Sequence, residues 1–341
     1  MKKIKKSVKI ITAVVLVIVL LLASGVIFYL SKLNLIKFSD GKFRWNGSID
    51  TNDSETIDEQ SRMNDAIADL EEKDAVDATG KIYKDKRFLN ILLIGTDEHT
   101  ENFSENARGD SCMIMSVGKK DGSLKLASLE RGMGMPILDG KYKGQYDWLT
   151  HTFRYGGADL MMREVRECFK VDVERYIRVN FATFKKGIEA VGGIDITLTA
   201  AEAAYISNTG HDCTAGVNHL DGEAALVYAR CRHIDSDWHR IERQRNVIQA
   251  VVTKTKELDI AELNGLLNNV LPLVQTNLTR LEITELLLLA PKYRGAEIKQ
   301  MTVPVSGSYG GMRGLGGRSL FSVDFETNSR ALREFIYGIK D

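Results

Sequence analysis

Residues 88–95, FLNILLIG, form an apolar run of strand length that closes on Thr96-Asp97. Apolar side chains on consecutive positions predict a strand buried on both faces, as in a sheet covered by helices on each side. Residues 111–117 (SCMIMSV) and 124–129 (LKLASL) read as buried strands too. Beyond them the spacing predicts a helix over 152–168, a strand over 176–180 and a helix over 181–191 that stops at Gly192-Gly193. An alternating strand over 194–198 precedes helices over 221–230, 237–258 and 281–289. A strand over 300–305 and a helix over 329–338 close the chain. Strands alternating with helices predict an α/β fold: an α/β/α layered domain around a central mixed, twisted sheet. No internal repeat and no second domain boundary is evident after Arg87. The glycine-rich stretch 310–317, GGMRGLGG, reads as a surface loop.

Upstream the character changes. Residues 10–30, IITAVVLVIVLLLASGVIFYL, carry no charge. At 1.5 Å per residue, about 20 residues cross the roughly 30 Å hydrocarbon core, which predicts one transmembrane helix ahead of the folded domain. Lys2, Lys3, Lys5, Lys6 and Lys9 precede the run without an acid among them, and cytoplasmic flanks are rich in lysine and arginine. The expected organisation is a cytoplasmic basic tail over 1–9, a single-pass cell-membrane anchor over 10–30, an acidic extracytoplasmic stalk over 31–86 and a large extracellular domain over 87–341. A signal peptide cleaved near Ala23-Ser24-Gly25 is the alternative, although the run exceeds a usual signal core. Within the stalk, Met63, Ile67 and Leu70 stand at helical spacing. The dense acidity of residues 50–77 marks this segment as a solvated spacer.

The whole chain of 341 residues has a formal net charge of +0, so composition offers no case for nucleic-acid binding. With 44% hydrophobic residues, a full α/β core can be buried. Cys112, Cys168, Cys213 and Cys231 are widely spaced, without the pairs that mark zinc or thioredoxin-like sites, and read as small buried residues. The six histidines lack HExxH spacing, and neither a nucleophile elbow nor a Walker-type glycine loop occurs.

Two clusters carry chemistry. Asp97 follows the strand of residues 88–95, and Arg108-Gly109-Asp110 stands just before the next strand. Ligands bind at strand ends in open α/β sheets, and two carboxylates meeting there suit a hard divalent cation. The bland alternative makes Asp97 a turn residue and Asp110 the start of a strand. The second cluster, residues 228–244, holds Arg230, Arg232, Arg240 and Arg243. Ser236 or Asp237 can cap a helix on which Asp237, Arg240 and Gln244 share a face, continued by Val247 and Val251. A polar helix end backed by an apolar face favours an anion, and guanidinium forks match phosphate oxygens. A solvated basic face is the alternative.

With Arg131, these clusters carry a resemblance. The chain resembles the LytR–CpsA–Psr family of Gram-positive bacteria through Asn90-Ile-Leu-Leu-Ile-Gly-Thr-Asp97, Arg108-Gly-Asp-Ser111, Ser128-Leu-Glu-Arg131, Arg154-Tyr-Gly-Gly157, Val191-Gly-Gly-Ile194, His219-Leu-Asp-Gly-Glu223 and the 228–244 run, in family order. Two pieces depart. The family usually has Arg-Asp where Arg131-Gly132 stands, and Lys or Arg followed by Ile/Leu-Asn where Trp148-Leu-Thr150 stands.

The resemblance implies a phosphotransferase that moves an anionic glycopolymer from an undecaprenyl-pyrophosphate carrier onto peptidoglycan at the membrane. It implies Mg2+ (or Mn2+) on Asp97 and Asp110. It implies a pyrophosphate gripped by Arg108, Arg131, Arg230, Arg232 and Arg240 with Gln244, and Asp237 near the head group; Arg243 joins the substrate-binding set as part of the arginine cluster. Arg131 and Asp237 are the expected catalytic pair. Two other readings stay open: a catalytically degenerate scaffold that binds the same lipid, and a transcriptional attenuator. The attenuator would need a cytoplasmic basic module, whereas the arginine cluster lies beyond the anchor.

Overall fold

The computed structural model describes residues 31–43, 54–105, 107–232, 234–258, 260–293 and 296–339. The expected basic tail and anchor, residues 1–30, lie outside them. No helix among the described residues is long and apolar enough to cross a membrane.

Among the described residues, the first strand is β1 (Lys37–Phe38), and α1 (Ser54–Ile67) comes after it. The strands β2 (Phe88–Thr96), β3 (Gly109–Gly118) and β4 (Leu124–Leu129) follow, then the short pair β5 (Gly134–Pro136) and β6 (Tyr146–Trp148). Helix α2 (Leu149–Phe169), β7 (Arg175–Asn180), α3 (Phe181–Ala190), β8 (Ile194–Leu198), α4 (Ala200–Ser207), β9 (Gly216–Leu220), α5 (Gly222–Arg230) and α6 (Asp237–Glu257) form the middle of the chain. It ends with α7 (Ile260–Val270), β10 (Gln275–Thr276), α8 (Arg280–Tyr293), β11 (Ile298–Val303), β12 (Tyr309–Arg313), β13 (Ser319–Val323) and α9 (Phe325–Tyr337).

Seven strands form one mixed sheet in the order β1-β10-β7-β2-β3-β4-β11. β2 runs parallel to β7 and antiparallel to β3, and β4 runs parallel to β11. Alternate residues of β2 face opposite layers, as the two-residue period of a strand requires. Leu92 and Ile94 pack with Phe153, Met161 and Val165 of α2 and Leu332 and Ile336 of α9. Ile91 packs with Ile283 on the other face, where Met113 and Leu126 meet Ile248 and Val252 of α6. Both faces of β2 are therefore covered, which is why its sequence is apolar without alternation.

Two expectations are corrected. The described residues of the 31–86 segment are not a free spacer. Leu33 and Ile36 are buried beside Ile91 and Leu278, and Lys37–Phe38 adds a parallel edge strand next to β10. The helical spacing of Met63, Ile67 and Leu70 creates an apolar stripe that docks on Trp148, Leu320 and Phe321. Asp58, Asp65, Asp69, Glu71, Glu72, Asp74 and Asp77 are exposed, whereas Glu59 is buried. The glycine-rich 310–317 stretch is likewise not all loop, because β12 pairs antiparallel with β13. Its glycines admit a neighbouring backbone: Gly311 N donates to Glu71 O at 2.9 Å, and a Cβ on Gly310 would come within 2.6 Å of that carbonyl.

Candidate functional site

β2, β4 and β7 all end, and β3 begins, on one edge of the sheet. β2 and β3 pair through Gly95↔Ser111 and then Thr96↔Gly109, so Asp110 is the extra residue of a bulge. A bulge re-aims a side chain and is favoured beside active sites. Asp110 Oδ1 accepts from Thr150 Oγ1 at 3.1 Å, at the start of α2, and lies 3.4 Å from Arg131 Nη1 at the end of β4. Asp97 accepts from Arg108 twice, through the backbone N at 2.9 Å and Nε at 3.0 Å. Burial, followed by the nearby Asp110 charge, pushes Asp97 up to about 6.

Arg131 is buried, and its guanidinium is ringed by carboxylates. Besides Asp110, Asp237 Oδ2 lies 3.5 Å from its Nε, and Glu59 pairs with its Nη2. Burial and then the neighbouring Arg240 lower its proton affinity well below the usual arginine range. Asp237 opens α6. Burial opposes its ionisation, but Arg240, Arg131 and Arg232 hold it at about 2. Arg240 is 4% exposed; its Nε has no hydrogen-bond acceptor among the described residues, with Asp237 Oδ1 3.6 Å away. A buried guanidinium with an unused donor is costly unless a ligand completes it.

The polar edge opens into an apolar cavity of about 290 Å³ between the sheet and helices α3, α5 and α6. Leu93, Met113, Ile177, Phe184, Val247 and Ile248 are among the side chains lining its interior, while Arg230, Arg232, Arg240 and Gln244 also line it. Arg230 is exposed and stacks over Phe181, its guanidinium carbon 4.3 Å from the ring centroid. Gln244 Oε1 accepts from Ser111 Oγ at 3.0 Å, which joins α6 to β3. A smaller polar chamber adjoins the cavity and shares Asp110 and Arg232 with it; Arg108, Arg131, Thr150 and Glu59 also line this chamber. Val251, expected on the cavity face, packs instead with the cluster behind α6.

Arg243 does not join the set. It is buried, donating to Glu202 Oε1 at 2.7 Å and Cys231 O at 2.9 Å, and it pairs with Asp235. Only about 60° around the helix axis separates Arg243 from Arg240, so it is the carboxylates of Glu202 and Asp235 that turn Arg243 away from the cavity. Sequence reading missed Glu59, whose buried carboxylate accepts from Arg232 Nη1 at 2.8 Å. Its spacing four residues before Met63 puts Glu59 on the docking face of α1, but nothing local names its arginine partners. It also missed Glu130, inside the Ser128–Arg131 motif. Burial and then Asp237 push Glu130 up to about 7, and its Oε2 has no partner among the described residues.

Among the described residues, no group of three or more His, Cys, Asp or Glu could hold a metal. Asp97 and Asp110 are two carboxylates that repel one another at a buried strand edge. That donor set fits magnesium, which takes one or two carboxylates and completes its shell with water and phosphate oxygens.

A family model described as the LytR_cpsA_psr family matches residues 51–331. The chain belongs to this family. The match begins before α1, so the family domain includes that helix. A polyisoprenyl-teichoic acid–peptidoglycan teichoic acid transferase TagU of Bacillus mycoides (strain KBAB4) is 34% identical over 205 residues, covering 59% of this chain and 64% of that protein. The match thus spans just under two thirds of that relative. TagU of Enterococcus faecalis (strain ATCC 700802 / V583) is 33% identical over 222 residues, covering 63% and 69%. Among solved structures, the LytR-CPS2A-psr family protein YwtF (TagT) with bound octaprenyl pyrophosphate lipid superposes with a TM-score of 0.56 at 21% identity, covering 78% of this chain and 97% of that one. The mixed α/β architecture is shared with that structure.

Proposed function

We propose that this LytR_cpsA_psr protein is a membrane-anchored transferase that moves an anionic glycopolymer from a prenyl-pyrophosphate carrier onto peptidoglycan. One observation carries the reading: an apolar cavity that runs into Arg230, Arg232, Arg240 and Gln244. A prenyl chain and a pyrophosphate need those two environments side by side. The relatives named as teichoic acid transferases and the neighbour that holds octaprenyl pyrophosphate support it.

In this reading the cavity holds the prenyl tail and the arginines hold the pyrophosphate bidentately. A peptidoglycan hydroxyl attacks the phosphorus that bears the sugar, a new O–P bond forms, the bond to prenyl phosphate breaks, and the hydroxyl proton leaves with the departing phosphate. Arg131 and Arg240 face the charge that develops on the phosphate oxygens. Asp237, ionised at ordinary pH, keeps both guanidiniums aimed rather than taking a proton. Such chemistry is positioning and electrostatics, which needs no protein nucleophile. Asp97 and Asp110 would hold Mg2+, which when bound neutralises pyrophosphate charge and eases departure of the prenyl phosphate. The uncharged 10–30 run and the lysines before it support an outer-side location for the domain. External protease on protoplasts should remove the domain, and full protection would contradict this topology.

The decisive experiment is transfer from a synthetic lipid-linked donor to peptidoglycan oligomers, with and without magnesium. Metal-dependent product is expected. Donor binding without turnover would leave a lipid-pyrophosphate scaffold.

A further inference from the structure

We propose that Glu59 is a built-in anion occupying a phosphate position of the polar chamber, and that the donor enters by displacing it together with α1. The proposal rests on the lipid-pyrophosphate reading above. The Glu59 side chain is only 7% exposed, and Oε2 alone faces both Arg131 Nη2 and Arg232 Nη1. One oxygen bridging two guanidiniums is what a phosphate oxygen does in an arginine clamp. These are two of the arginines that the reading assigns to the pyrophosphate.

The charge count around the chamber agrees. Arg108 pairs with Asp97, Arg131 touches Asp110 and Asp237, Arg240 neighbours Asp237, and Arg232 pairs with Glu59. With Glu59 seated, the four guanidiniums are matched one for one by Asp97, Asp110, Asp237 and Glu59. Apart from Arg230 at the cavity mouth, an incoming pyrophosphate would meet guanidiniums that are already matched, and it would face a carboxylate at contact distance, a repulsion that low-dielectric surroundings amplify. Removing Glu59 creates the deficit that an anion fills.

Helix α1 is built as a partition. Thr56 and Glu59 line the chamber, while Thr56, Ile57, Gln60 and Asn64 line an open groove of about 350 Å³ bounded by Arg313. Ile57 is 55% exposed. The helix therefore stands one helix thick between the arginines and the groove. Its seat is Met63, one turn from Glu59, which packs on Trp148 and Phe321 and fills the space beside Gly132; a Cβ there would reach 2.7 Å from Met63 Sδ. Displacing the helix joins groove and chamber, so donor arrival itself opens a route for the acceptor hydroxyl.

The test uses the full chain in lipid nanodiscs, titrated with farnesyl pyrophosphate and with inorganic pyrophosphate. Glu59→Gln should tighten both by about ten- to a hundredfold, the scale of one charge-assisted contact. Met63→Ala keeps the carboxylate but weakens the seat, and should tighten both by less. Amide exchange over residues 54–67 should rise when probe is added to the wild type. Unchanged or weaker binding by Glu59→Gln, no gain with Met63→Ala, or unaltered exchange overturns the proposal. Wild type that binds neither probe better than Arg232→Ala would instead sink the lipid-pyrophosphate reading.

Discussion

Arg243 Nε donates to Glu202 Oε1 at 2.7 Å, tying α6 to α4 behind the site. The same arginine holds Asp235 and the carbonyl of Cys231, so it braces the turn that presents Arg232. Arg243→Ala should cost roughly 3 kcal/mol of stability, because it leaves Glu202 Oε1 and Asp235 without their guanidinium partner. Denaturant unfolding should report that loss. The folded fraction should retain donor affinity, in contrast to Arg240→Ala.

Arg240→Ala and Arg232→Ala should each weaken prenyl-pyrophosphate binding by about ten- to a hundredfold, as charge-assisted contacts of about 1.5–3 kcal/mol disappear. Arg230 is exposed and should lie at the lower end. Because it stacks on Phe181, Phe181→Ala should reproduce part of the Arg230→Ala loss. Isothermal titration separates these effects, and equal affinity across all four variants would contradict the assignment.

Asp97→Asn and Asp110→Asn should each abolish the stimulation of transfer by magnesium while leaving most lipid binding. The double variant should be little worse than either single one, since both carboxylates serve one ion. Additive losses would show that the two act separately. Asp110→Asn should keep the bulge, because the Gly95↔Ser111 and Thr96↔Gly109 pairs are made by backbone.

Glu130 supplies a pH dependence. Its folded-state pKa, about 7, stands above the ordinary value of 4.5. The native state therefore binds its proton more readily than the unfolded chain does. That contribution favours the fold below the unfolded pKa and is lost as pH rises from about 4.5 through 7. Glu130→Gln should remove this component, so the melting-temperature difference between variant and wild type should widen in the variant's favour from pH 5 to pH 8. A constant difference would place Glu130 in a more polar environment than its burial implies.

The sequence alone determined the longer strands of the sheet, β2, β3, β4, β7 and β11, and most of the helices, but not the two-residue strands β1 and β10. Unbroken apolar strands such as 88–95 bury on both faces whatever their neighbours are, and glycine pairs such as Gly192-Gly193 end helices by local conformation. Residue order also brought out the arginine-rich start of α6 and the two aspartates at strand ends, because helical spacing and strand termini are local properties. Only the tertiary structure decided which arginines face the cavity. Arg240 and Arg243 are three residues apart and equally charged, and the carboxylates that draw Arg243 inward come from α4 and the turn before α6. Glu59 was beyond sequence reading for the same reason. Acidic density over residues 50–77 signals solvation on average, yet docking of Met63 on Trp148 and Phe321 carries one acid of that segment to Arg131 and Arg232, and no local pattern encodes a partner more than seventy residues away.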